Sequence, residues 1–137
     1  MPPDPDRIAD TRSWLIKAVA DLRAAELDLT PRPPLTADTA FHSQQFAEKA
    51  LKAYLTWHDR PFRRTHDLAE VGRQCIDLDA SLSAVCQRAE RLTVYAWVFR
   101  YPGEPEEPTR QEAEEALVVA RELYAAVLAR LPEAVRP

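Results

Sequence analysis

Only two glycines stand against twelve prolines in this chain, and that imbalance closes off whole classes of fold. A sheet of short strands joined by tight turns, or a phosphate cradle of successive glycines, needs several residues that adopt positive φ without strain. The prolines instead cut the sequence into blocks. Asp4-Pro5 reads as an N-cap followed by proline in the first helical turn, where its missing N–H costs nothing. From there Ile8, Leu15, Val19 and Leu22 recur at helical spacing over residues 5–28. Thr30-Pro31-Arg32-Pro33-Pro34 cannot continue a helix, because consecutive prolines remove donors and push their predecessors into extended geometry.

A second helix is expected over residues 36–58, and on a wheel of about 100° per residue it has three sectors. Ala40, Gln44, Ala47, Leu51, Tyr54 and His58 share a core-facing side. His42, Gln45, Lys49, Lys52 and Thr56 form a polar stripe, while Phe46, Ala50, Ala53 and Trp57 form a second apolar sector. Two apolar sectors call for two neighbours, so the third sector is a candidate either for self-association or for an internal helix contact.

A short connection holding Arg60, Pro61, Phe62, Arg63 and Arg64 leads to a third helix, capped by Thr65 or Asp67, with Leu68, Val71, Cys75 and Ile76 facing inward. Residues 77–81 break it. A fourth helix carries Leu82, Val85, Cys86, Ala89, Leu92, Thr93, Ala96 and Phe99 and stops at Arg100-Tyr101-Pro102-Gly103. Beyond an acidic loop from Glu104 to Pro108, Thr109 and Glu112 make a capping box that opens the last helix, lined inside by Ala116, Leu117, Ala120, Leu123, Tyr124, Val127 and Leu128. No segment alternates with period two. The expected fold is all-α, an up-and-down four-helix bundle with an additional short helix, forming a single domain over 1–137 with its core at about 5–131. At 137 residues the chain can bury a core without metal or disulfide staples.

The formal charge of −4 leaves no global positive field, so nucleic acid would have to meet a local basic patch. No apolar run spans a bilayer and no signal peptide is visible, so a cytoplasmic protein without membrane contact is expected. Cys75 and Cys86 read as reduced packing residues. His42 and His58 point to nearly opposite sides of one helix, and no H-E-x-x-H or E-x-x-H spacing occurs, so neither metal nor cofactor is expected.

Three constellations remain, each with a functional and a structural reading. His42, Gln45, Lys49 and Lys52 can bind bases or phosphates, or form a polar seam against a neighbouring element, with Glu48 placed to orient Lys52. Arg60, Arg63, Arg64 and His66 precede a helix start and suit an anion, or pair with the acidic loop; Arg60 and His66 have R-x5-H spacing. Tyr95, Arg100 and Tyr101 end the fourth helix, where arginine caps carbonyls or tyrosine stacks on a base.

Three stretches in this order resemble the HEPN domain family: Phe41-His42-Ser43-Gln44-Gln45-Phe46-Ala47-Glu48-Lys49-Ala50-Leu51-Lys52-Ala53, then Thr65-His66-Asp67-Leu68, then Arg100-Tyr101-Pro102. The resemblance covers nearly the whole chain. It implies a four- or five-helix bundle, a homodimer, and a minimal nucleotidyltransferase as partner in a toxin–antitoxin-type pair. Many such domains are metal-independent ribonucleases built on an R-x4-6-H motif contributed by each subunit. Here the positions after Arg100 hold Pro105, Glu106 and Glu107, and no histidine follows His66.

The resemblance with this departure points to a non-catalytic, or at most weakly catalytic, module that binds nucleotide, RNA or a nucleotidyltransferase. His42, Gln45, Lys49, Lys52, Arg63, Arg64, His66, Arg100 and Tyr101 are the ligand-binding candidates, expected to meet in one water-accessible recess. The alternatives are an RNA endonuclease using His66 with Arg60 or Arg100, and a purely structural partner-binding bundle.

Overall fold

The computed structural model describes residues 2–103 and 106–137 and holds five α-helices with no strand among them. α1 (Pro5–Asp28) begins as its sequence demands: Asp4 accepts from the Asp6 backbone N–H at 2.9 Å, and Pro5 sits in the first turn. Its inward stripe is Leu15, Ala18 and Ala25, fully buried, with Ile8, Trp14 and Leu22 half-buried beside them.

α2 (Thr36–Trp57) is the spine of the molecule, packed along α1 on one side and α5 on another. Both of its apolar sectors are inside. Phe46, Ala50 and Ala53 have no exposed surface, and the Phe46 ring lies 4.8 Å from that of Tyr124. This sector is therefore an internal helix contact and not a self-association face, because the small Ala50 and Ala53 let the neighbouring helices approach. Each large side chain buried in this way contributes about 1.5–3 kcal/mol. His58, expected on the core side, ends the helix in solvent instead, its ring tilted over Tyr54 at 4.6 Å.

α3 (Leu68–Leu78) is capped by Asp67, which accepts from Ala69 N, while Thr65 Oγ1 accepts from Asp67 N. The long fourth helix expected to reach Phe99 does not form. α4 (Ser83–Ala89) is seven residues long, residues 90–96 tighten into a 3-10 helix, and Phe99 has φ 71°. Two causes act together. Thr93 and Val94 are β-branched and lose rotamer freedom in a helix. Thr93 Oγ1 is also drawn away to accept from Leu68 N, the first orphan donor of α3, at 3.1 Å.

Glu104 and Pro105 of the acidic loop lie outside the described residues. α5 (Arg110–Leu128) opens with both arms of the capping box: Glu112 N donates to Thr109 Oγ1 and Thr109 N to Glu112 Oε1. Arg130 then ties the end of α5 to the α3–α4 junction, donating to Asp79 Oδ2 at 2.8 Å and Ser81 Oγ at 2.7 Å.

Candidate functional site

The polar stripe of α2 divides into two carboxylate-centred clusters. The first is centred on Asp21 of α1, which is 8% exposed. His42 Nδ1 donates to its Oδ1 at 2.8 Å, and the Lys49 ammonium donates to Oδ2. One turn further along the same seam Thr39 Oγ1 donates to the Ala25 carbonyl. Asp28 stands close enough to His42 to sense its charge, although burial outweighs that effect and raises the Asp28 carboxyl. The His42 imidazole and the Lys49 ammonium thus face acids on α1, and the cluster joins helix to helix.

The second cluster is centred on Glu48, 3% exposed. Because α2 brings every fourth residue to the same side, Gln44, Glu48 and Lys52 form one row. Lys52 Nζ donates to Glu48 Oε2 at 2.9 Å, and His66 Nδ1 donates to Glu48 Oε1 at 2.8 Å. Gln44 Nε2 also donates to Glu48 Oε1 at 3.2 Å, and two further hydrogen bonds reach the backbone of the turn: Lys52 Nζ to the Thr65 carbonyl at 3.1 Å, and Gln44 Nε2 to the His66 carbonyl at 3.0 Å. Gln45 joins only through its neighbour, donating to Gln44 Oε1. The rings of Trp14 and Phe62 flank the Lys52 ammonium at 5.7 and 5.6 Å, shielding the ion pair from water. A buried pair so shielded is costly to break from one side, at about 3–5 kcal/mol.

This second cluster holds the Arg-rich turn. His66 has a 55% exposed side chain even though Nδ1 is engaged below. Arg63 donates through Nε and Nη2 to Glu70 Oε1, and Arg64 is exposed with no ion pair among the described residues. Arg60 points elsewhere, into a groove it shares with Arg7 and with Asp4, Asp6 and Asp10 at the start of α1. Burial first, then Arg60 and Arg7, lower the pKa of nearby His58. Arg100 stacks its guanidinium 3.8 Å above the Phe41 ring, at the α2 end that carries His42, and Tyr101 is 67% exposed. The site candidates therefore occupy several places: His42 with Lys49, Lys52 with His66, and Arg100 over Phe41.

Asp21, Gln44 and Glu70 are the polar partners that the sequence reading left out of the site. Asp21 follows Ala18 by three residues and precedes Ala25 by four on a stripe with no other charged residue. An acid in such a position asks for a cationic partner, and that was the available signal. Burial pushes the Cys86 thiol up to about 11 and Cys75 higher still, so neither offers a thiolate near neutrality. Among the described residues no three His, Cys, Asp or Glu side chains are placed to hold a metal ion, and no helix is long and apolar enough to cross a membrane.

Comparison with known proteins gives one match. No curated protein and no solved structure is similar enough to count. The family model described as the HEPN domain matches residues 11–131, from the second turn of α1 to just beyond α5, and includes all three motif stretches. An all-helical chain matched over that span belongs to the HEPN domain family.

Proposed function

We propose that this HEPN chain is a binding module for single-stranded RNA and nucleotides, with the turn at residues 60–66 as its contact surface. The observation supporting the reading is the way buried side chains of α2 hold that turn while its cations stay in water. Lys52 and Gln44 occupy the carbonyls of Thr65 and His66, and Glu48 fixes the His66 ring. Arg63, Arg64 and His66 remain exposed above them. A preorganised cationic turn loses little entropy when it meets a phosphate chain, and arginine matches phosphate geometry. In a chain of net charge −4 only such a local patch can serve. The reading includes a homodimer acting beside a minimal nucleotidyltransferase, as the family implies; co-expression with such a partner and native mass measurement test that part.

Fluorescence anisotropy with a 12-nucleotide RNA tests the surface. Arg63→Ala with Arg64→Ala is expected to weaken binding at least about tenfold and to flatten the salt dependence by roughly 0.7 in log–log slope per lost phosphate contact. Unchanged affinity would remove the turn as the contact surface.

One observation favours a second reading, a metal-independent endonuclease. With Nδ1 held by Glu48, His66 keeps Nε2 free of hydrogen bonds among the described residues. This is the orientation of an imidazole that takes a 2′-hydroxyl proton as that oxygen attacks phosphorus, the P–O5′ bond breaking to leave a 2′,3′-cyclic phosphate and a 5′-oxygen that takes its proton from water. Arg60 or Arg100 would then have to hold the phosphate. RNA cleavage in EDTA that disappears in His66→Ala supports this reading, and intact RNA with folded protein rules it out.

A further inference from the structure

Between the Arg-rich turn and α3 lies an open groove of about 520 Å³, walled by Phe62, Arg63, Glu70, Arg73, Gln74 and Asp77. Its shape is set from below: Gln74 Nε2 donates to the Pro61 carbonyl, and the Phe62 ring is pinned edge-on against Trp14 at 5.8 Å. Glu70 is the unusual member. Both hydrogen bonds from Arg63 reach the same oxygen, Oε1, at 2.9 and 2.7 Å, while Oε2 is buried with no hydrogen-bond partner among the described residues. A carboxylate oxygen without donors carries the full penalty of lost hydration, so Glu70 holds an unmet acceptor beside the groove, which a donor reaches once the atoms covering it move. Arg63, whose side chain is 80% exposed, can leave Glu70 for an incoming anion at little cost. Arg73 is exposed and has no ion pair among the described residues.

We propose that this groove is a nucleotide subsite that selects bases bearing an exocyclic amine. Phosphate draws Arg63 and Arg73, the base lies against Phe62, and its amine donates to the carboxylate of Glu70. Cytosine, adenine and guanine carry such a donor; uracil has no exocyclic amine, and its one base donor, N3–H, lies between two carbonyl oxygens that a carboxylate repels. The inference rests on the RNA-binding reading above and adds base choice to it.

Anisotropy with 12-mers of cytidylate and uridylate separates the two. The native protein is expected to bind the cytidylate about tenfold more tightly, within the range of a single well-placed base contact. Glu70→Gln can offer an NH2 group in place of the acceptor, and the preference should then fall below about twofold or reverse. Arg73→Ala should weaken both oligonucleotides by a similar factor. Equal affinity of the native protein for both, or an undiminished preference in Glu70→Gln, overturns the subsite and leaves RNA binding by the turn standing. Failure to bind either oligonucleotide overturns RNA binding itself, and the subsite with it.

Discussion

Asp21 and Glu48 each hold one lysine and one histidine, yet the two clusters do different work. At Asp21 the histidine and the lysine both come from α2 and the acid from α1, so the cluster joins two rigid helices along their length. At Glu48 the acid and the lysine share α2, and the histidine arrives from a turn whose carbonyls are also bound. The exposures differ accordingly. The Lys49 and Asp21 side chains are 22% and 10% exposed, whereas those of Lys52 and Glu48 are 8% and 4%. The comparison teaches that the same three residue types can fasten secondary structure or can shape a loop. What decides is whether the partner supplies a helix or a free stretch of backbone.

The contrast can be broken most sharply at the two acids. Glu48→Gln leaves Lys52 without its counter-charge in a nearly dry site and should cost about 3–5 kcal/mol in a urea melt. It should also speed hydrogen exchange across residues 60–66. Asp21→Asn removes a charge from a wetter cluster and should cost less, about 1–3 kcal/mol, with the turn still protected. Equal costs, or a turn that stays protected in Glu48→Gln, would erase the distinction. The histidines sharpen it at smaller scale. His66→Ala should lower stability by no more than about 1 kcal/mol but weaken RNA binding, whereas His42→Ala should leave RNA affinity unchanged.

The smallest effect lies outside both clusters and serves as their control. Hydrogen bonds from Ser81, then Arg130, hold the Asp79 carboxyl down at about 2. In the unfolded chain that group takes its proton near the ordinary value of 3.8, so the stability it adds is complete above that pH and is lost as pH falls through 2. Asp79→Asn should therefore flatten the acid limb of the stability curve between about pH 4 and 2. The RNA affinity and turn protection measured near neutrality should not change.

Most of the helical plan was legible because its signals are local. Asp4-Pro5, Asp67 and the Thr109–Glu112 box act within four residues of themselves, and each caps the helix it was expected to cap. The end of the fourth helix was not legible, because Thr93 bonds a backbone N–H twenty-five residues earlier in the chain. A helical wheel likewise gave the direction of His42, Lys49 and Lys52 but neither their depth nor their partners. It set Gln44 among core residues, and Gln44 is indeed buried, yet its amide serves the turn.

Proline placement, capping residues and apolar spacing were enough to specify an all-helical chain and where most of its helices begin, since each acts over a turn or two of backbone. Which acid each cation meets, which face stays wet, and that Glu70 keeps an oxygen without a donor among the described residues arose only when helices and turn packed together. Charge pairing and desolvation depend on distances through space, and those are set by packing between segments far apart along the chain.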